Sequence, residues 1–256
     1  PATLGVFAVL GSGSNYSTPI VTDLDGDHLP EVIIASRDRN LYVKRLNGTN
    51  YPGFPFLCAG DITSTPAVGD MNNDGLPEIV WGSSDNKLHA INILKQYSAG
   101  FPKGVNFNQD LDSSPALGDF NGDGYLDVAV CSGNGTAYVF SGATGNTLPG
   151  YPVILYDPLG ARIQIRSSPA IADIDTTPDL EMSFGGQGGS VYALKANGTM
   201  ALGFPIKTGN VVEGAPLVWD LDHDGYNEVC IQGFDQNLYM WDTPAPFTAT
   251  SNPWPM

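Results

Sequence analysis

Asp119-Phe-Asn121-Gly-Asp123-Gly124-Tyr125-Leu-Asp127-Val128 decides how this chain is read, because the chain repeats it. Oxygen-bearing side chains stand at positions one, three, five and nine, with glycine at six and a β-branched residue at ten. Alternate acids cannot converge on one point from a strand or a helix. In a tight loop they can, and glycine permits the turn through positive φ. Oxygens meeting at one point suit a hard cation, above all Ca²⁺. The other copies are Asp23, Asp25, Asp27, His28, Glu31; Asp70, Asn72, Asp74, Gly75, Glu78; Asp173, Asp175, Thr177, Pro178, Glu181; and Asp220, Asp222, Asp224, Gly225, Glu228. Successive copies lie 47, 49, 54 and 47 residues apart. One acidic turn is an ordinary surface feature, but five in phase make a repeat. The spacing opens like the loop of an EF-hand, yet its last carboxylate comes at nine instead of twelve and a strand follows instead of a helix.

The rest of each repeat reads as short strands. A Ser/Thr-Pro opening leads into a first strand: Ser17-Thr-Pro19, Ser64-Thr-Pro66, Ser113-Ser-Pro115, Ser167-Ser-Pro169 and Gly214-Ala-Pro216. Proline is tolerated there because the missing N–H falls at the strand start. After the acidic loop come nearly continuous apolar runs beginning at Glu31, Glu78, Asp127, Glu181 and Glu228, the pattern of strands buried on both faces. A polar turn and a third strand follow, the latter carrying Tyr42, His89, Tyr138, Tyr192 or Tyr239. An aromatic-Pro pair (Phe54, Phe101, Tyr151, Phe204, Trp254) then opens a fourth strand, which has to be an edge.

Four antiparallel strands per repeat of about 50 residues make a propeller blade. The expected fold is all-β: one domain over 1–256, a β-propeller of five four-stranded blades. Its repeats cover about 17–63, 64–112, 113–166, 167–213 and 214–256. Residues 4–10 read as an additional outer strand, since aligning Pro19 with Pro66 sets Phe7 on Phe54. The simplest closure has this strand complete the last blade. In the rival arrangement it is free to join another molecule, giving a homo-oligomer or filament.

Net charge is −16, and 18 of the 27 acids lie inside the five loops. The remaining 9 face 11 Lys and Arg, so the acidity is metal-site acidity, and four bound Ca²⁺ would halve the net charge. This argues against nucleic acid and anionic membrane as partners. No apolar run reaches 18 residues, so no membrane span is expected. The chain opens on Pro1 with no signal peptide and is expected to be a processed or excised segment. Cys58, Cys131 and Cys230 read as buried free thiols. Loops with four or five oxygens suit millimolar extracellular Ca²⁺, which favours a secreted protein.

With these residues laid out, the chain resembles the FG-GAP/VCBS repeat family, the calcium-loop propeller repeats also found in integrin α-subunit heads. The resemblance rests on the acidic loop, the Ser-x-Pro opening and the aromatic-Pro closing. It implies one Ca²⁺ per loop, between first and second strands, held by the side chains at one, three, five and nine and the carbonyl at seven. The implied ligands are Asp23, Asp25, Asp27, Leu29 and Glu31; Asp70, Asn72, Asp74, Leu76 and Glu78; Asp119, Asn121, Asp123, Tyr125 and Asp127; and Asp220, Asp222, Asp224, Tyr226 and Glu228. The fourth loop offers Asp173, Asp175 and Glu181 but departs at Thr177 and Pro178, so four ions are expected, or five if it too binds.

No enzyme is expected: no serine or cysteine stands in a nucleophile motif, and His28, His89 and His223 read as loop or packed strand residues. Gly185–Gly189 reads as a turn and Trp81 as core. Trp219 stands where other repeats have Thr22, Gly69, Gly118 and Ala172, and reads as an axial plug or a sugar-stacking surface. Asn15, Asn47, Asn134 and Asn197 head acceptor triplets for N-glycans, which also read as turns. The resulting expectation is a calcium-stabilised adhesion or interaction module for a glycan or extracellular protein. The alternatives are a structural subunit joined by strand donation, or a domain of a polysaccharide-active enzyme.

Overall fold

The computed structural model describes residues 7–11, 17–105, 113–177 and 179–248. Its strands fall into five antiparallel sheets in chain order. The first holds β1 (Ile20–Thr22), β2 (Glu31–Ala35), β3 (Asn40–Lys44) and β4 (Phe56–Leu57). The second holds β5 (Ala67–Gly69), β6 (Glu78–Ser83), β7 (Lys87–Asn92) and β8 (Lys103–Gly104). The third comprises β9 (Ala116–Gly118), β10 (Asp127–Ser132), β11 (Thr136–Phe140) and β12 (Val153–Ile154). In the fourth are β13 (Ala170–Ala172), β14 (Glu181–Gly186), β15 (Ser190–Lys195) and β16 (Ile206–Lys207), and in the fifth β17 (Leu217–Trp219), β18 (Tyr226–Gln232) and β19 (Leu238–Pro246). No helix is present among the described residues, so none is long and apolar enough to cross a membrane.

Each first strand starts directly after its opening proline, and each two-residue outer strand directly after its aromatic-Pro pair. The openings also join the blades. Thr18 N donates to Thr65 Oγ1 (3.0 Å), Thr65 N to Ser114 Oγ (2.9 Å) and Ser114 N to Ser168 Oγ (2.9 Å). One hydroxyl per blade thus satisfies the matching amide of the blade before it. The preceding serine staples its own sheet: Ser17 Oγ donates to Ala35 O (2.8 Å), and Cys131 N donates to Ser113 Oγ (3.2 Å).

The core lies between the blades. One apolar cluster joins blades one and two around Ile33, Leu41 and Trp81, and another joins two and three around Val80, Leu117 and Phe140. A third joins three and four around Cys131, Met182 and Phe184. Inner strands touch in succession, β5 on β9, β9 on β13 and β13 on β17. This closeness explains the small inner residues. A Cβ on Gly118 would lie 2.9 Å from Ile171 Cγ2, and one on Gly69 2.8 Å from Leu126 Cδ1.

The sheets do not close into a ring, which corrects the expected closure by the N-terminal strand. Among the described residues the fifth sheet has three strands, and Phe7–Gly11 do not pair with it. Gly11 N instead donates to Tyr42 Oη in the first blade (2.8 Å). Residues 4–6 and the Trp254-Pro pair lie outside the described residues. Burial reports the same openness: β6, β10 and β14 are buried throughout, whereas β2 and β18 in the end blades are only partly covered. Trp219 fits this picture. It lies on the last inner strand among the described residues, and its ring packs edge-on against Phe247 at 4.7 Å.

Gly118→Val should cost about 1–3 kcal/mol through overpacking against Ile171. Gly104→Val, with open space around its Cβ, should stay within about 0.5 kcal/mol of the parent. Urea unfolding of the two variants measures both.

Candidate metal centres

In all five loops the carboxylate at position nine is buried; it is the first residue of the second strand in blades one to four and the third residue of β18 in blade five. It pairs across the sheet with the last residue of the first strand: Thr22 with Glu31, Gly69 with Glu78, Gly118 with Asp127, Ala172 with Glu181, Trp219 with Glu228. One of its oxygens accepts the backbone N–H of position two. The donors are Leu24 (3.1 Å), Met71 (2.9 Å), Phe120 (3.1 Å), Ile174 (2.9 Å) and Leu221 (2.5 Å). The other oxygen is buried without a hydrogen-bond partner in Asp127, Glu181 and Glu228, and so is one oxygen of Asp173 and of Asp220. A buried carboxylate oxygen with no donor is costly. A cation supplies what the protein does not, so these residues fit a bound metal.

The loop backbone is built as its glycines require. Position six takes positive φ at His28 (67°), Gly75 (85°), Gly124 (86°) and Gly225 (92°). Position four does the same at Gly26, Asn73, Gly122 and His223, a second left-handed residue that the sequence reading overlooked. These turns aim backbone amides at the acids. Asp23 Oδ2 accepts His28 N, Asp70 Oδ2 accepts Gly75 N, and Asp119 Oδ2 accepts Gly124 N, all at 2.9 Å. Position five accepts the amide of position seven, so Leu29, Leu76, Tyr125 and Tyr226 are each anchored beside the site.

Convergence differs between loops. Ligand atoms of Asp23, Asp25 and Asp27 lie within 4.8 Å of one another, as do those of Asp220, Asp222 and Glu228; Glu31 and Asp224 stand outside these groupings. Tyr51 Oη, unanticipated from sequence, donates to Asp25 Oδ2 (2.9 Å). In the second loop the Asn72 amide donates to Glu78 Oε1 (3.1 Å), and in the third Asn121 donates to Asp123 Oδ2 (3.0 Å).

The fourth loop carries its own cation. Asp173, Asp175 and Glu181 converge within 4.8 Å, but the Lys195 ammonium at the end of β15 pairs with Asp175 and lies 3.2 Å from Thr177 Oγ1. Despite burial, Lys195 and Thr177 hold Asp175 below its usual range, and Asp175 in turn raises Lys195. Pro178 lies outside the described residues.

Electrostatics match the geometry. Burial, reinforced by the neighbouring acids, pushes Glu78 and Asp127 up to about 7 and Glu181 up to about 8; Glu31 is also raised. Without metal, the folded protein holds protons on Glu78 and Asp127 that the unfolded chain releases above its ordinary values of 4.5 and 3.8. The native state then binds more protons through that window, so its stability falls as pH rises toward 7. In chelator, thermal melting should drop between about pH 5 and pH 8. Glu78→Gln with Asp127→Asn should flatten that dependence, whereas a melting temperature rising over the same range contradicts it.

Elsewhere, Asn47 Oδ1 accepts Thr49 Oγ1 (2.7 Å) and Asn197 Oδ1 accepts Thr199 Oγ1 (2.6 Å), each inside a turn; Asn15 lies outside the described residues. All three cysteines are free, Cys58 and Cys131 buried and Cys230 partly so. Tyr138, Tyr192 and Tyr239 stack on Phe140, Phe184 and Trp241.

Comparison with curated proteins gives no sequence match. Among solved structures, the chain is similar to BBS1N, crystallised in complex with ARL6DN (TM-score 0.54, 14% identity, 93% of this chain and 71% of that one). It is similar also to Sqt1 of Saccharomyces cerevisiae (0.64, 14%, 89% and 59%) and to BamB from Moraxella catarrhalis (0.52, 14%, 94% and 73%). These likenesses concern the β-propeller fold. Residues 23–81 match the FG-GAP-like repeat and residues 112–146 the FG-GAP repeat. The chain thus carries FG-GAP repeats, matched over residues 23–81 and 112–146, and acidic loops of the same construction recur in its five successive blades.

Proposed function

We propose that this chain is a secreted, Ca²⁺-stabilised propeller array acting as a non-catalytic adhesion or interaction module for a glycan or an extracellular protein. The observation that carries this reading is the buried, donor-less carboxylate oxygen at position nine of loops three, four and five. A Ca²⁺ there ties first strand to second and cancels repulsion among crowded acids. Loops one, two, three and five are the assigned sites, and Lys195 replaces the ion in loop four. Each ion stabilises the fold by about 2.7 kcal/mol at a hundredfold excess over its dissociation constant. The ions then hold a scaffold whose inter-strand loops face a ligand. BBS1N, a propeller crystallised in complex with ARL6DN, is in keeping with a propeller surface used for protein binding.

The open end favours a second reading, a structural subunit of an extracellular assembly. Leu238 is 73% exposed in the last blade, while its counterparts Leu41, Leu88, Ala137 and Val191 are fully buried by their neighbours. Covering that face with another chain would complete the array.

Native mass spectrometry should count four Ca²⁺ per chain, falling to three in Glu228→Gln, and chelator should lower the melting temperature. Fewer than three ions in the parent contradicts the site assignments. Glycan-array binding lost on chelation supports the adhesion reading; concentration-dependent polymers in light scattering, without ligand binding, support the assembly reading.

A further inference from the structure

A buried cluster outside the acidic loops joins the first two blades. Cys58 follows β4, Asp85 sits in the turn between β6 and β7, and His89 lies on β7. Backbone bonding identifies the counterparts of Cys58. Cys58 N donates to Arg39 O, as Val105 N does to Asn86 O, Leu155 N to Gly135 O and Thr208 N to Gly189 O. The counterparts of His89 are Tyr42, Tyr138, Tyr192 and Tyr239. Both departures from the repeat place metal-ligating side chains, and the two meet in space.

Cys58 Sγ lies 3.4 Å from His89 Nε2, and the Asp85 carboxylate oxygens lie 3.2 and 3.3 Å from the same nitrogen. All three residues offer ligand atoms within 4.8 Å of one another. One imidazole nitrogen carries either a proton or a lone pair, so it cannot satisfy both groups equally. A Cys–His–Asp relay would put the carboxylate on Nδ1, but here Nδ1 lies 3.0 Å from Tyr97 Oη. The arrangement is convergent. The two separations from Nε2, 3.4 Å to the sulfur and 3.2 Å to the nearer carboxylate oxygen, lie close to the edges, roughly 3.3–3.6 Å, of a Zn²⁺ tetrahedron built from sulfur, nitrogen and oxygen ligands.

The surroundings hold the ligands in place. Tyr97 on Nδ1 is the outer-shell partner that metal-bound histidines use to fix their tautomer. Trp81 stacks on the His89 ring at 5.0 Å and 7°, and Ser83 Oγ lies 3.3 Å from the sulfur. Asp61 N donates to Ser84 Oγ (2.8 Å) and Ser84 N to Asp61 O (2.9 Å), tying the Asp85 turn to the segment after Cys58. Gly60 permits this approach, since a Cβ there would stand 2.4 Å from Asp85 N. Burial raises the Cys58 thiol, but His89 and Ser83 outweigh it and bring it to about 7, while Cys58 and Asp85 raise His89 despite its burial.

We propose that Cys58 Sγ, His89 Nε2 and the Asp85 carboxylate bind one divalent ion of the Zn²⁺ class, with the fourth position open to water, and so staple blade one to blade two. Thiolate with imidazole selects a borderline-soft ion over Ca²⁺, which separates this site from the acidic loops.

Co²⁺ is the probe. The full chain, stripped with chelator and returned to millimolar Ca²⁺ so that hard-ion sites are filled, is titrated with Co²⁺. Tetrahedral visible absorption and a thiolate-to-cobalt charge-transfer band should saturate at one equivalent and vanish on adding Zn²⁺. Cys58→Val and His89→Tyr, residues that other blades carry at these places, should each abolish the charge-transfer band; Tyr97→Phe should keep it with affinity about 10- to 100-fold weaker. A folded parent without the band, or a band surviving in Cys58→Val, overturns the proposal. Should either variant fail to fold, the parent titration and Tyr97→Phe still decide.

Discussion

A carboxylate oxygen left without a donor where the second strand begins, in blades three, four and five, sets the problem that the rest of the array solves. The acid at position nine enters the sheet, where its other oxygen accepts the amide of position two and ties the second strand to the start of the loop. Bringing it in strands an oxygen in a buried place with acids around it. Desolvation of that group opposes folding unless it takes up a proton or faces a cation. Both responses appear within this one chain. Asp127 and Glu78 are driven toward the protonated state, and the fourth loop has an ammonium close by on Lys195. Loops of one ancestry of form therefore meet the same electrostatic constraint with different counter-charges.

The blades depend on each other as much as on their loops. Apolar clusters span the seams between sheets, and the hydroxyls of Thr65, Ser114 and Ser168 pass a hydrogen bond from blade to blade. That ladder ends at Ala215, which has no hydroxyl to offer. At the same end Leu238 and Met240 are exposed and Trp219 replaces the small inner residue. The ladder, the burial pattern and the residue sizes thus mark the same boundary. In repeat arrays each unit rests on its neighbours, and the first and last blades, which have a neighbour on one side only among the described residues, are the less covered ones.

Much of this was legible in the sequence, for physical reasons. Alternating oxygens with a glycine at six fit only a tight loop, and His28 does occupy the left-handed region. Second strands begin at the acid in four blades as read; in the fifth, β18 starts at Tyr226 because β19 runs on to Pro246 and pairs with it. What escaped depends on contacts distant along the chain. Lys195 stands 18 residues from Thr177, Cys58 stands 31 from His89, and no local pattern brings either pair together. Closure escaped for a different reason: counting strands supplies a fourth strand for the last blade, but Gly11 has its hydrogen-bonding place on Tyr42 of the first.

The central claim is that cations occupy the pockets headed by these buried acids. A crystal structure of the chain grown in millimolar Ca²⁺ tests it most directly. The account predicts anomalous density bonded at about 2.3–2.6 Å to the acids of loops one, two, three and five, with Lys195 in its place on Asp175 in loop four. Well-ordered loops whose position-nine oxygens face only water or one another would contradict it.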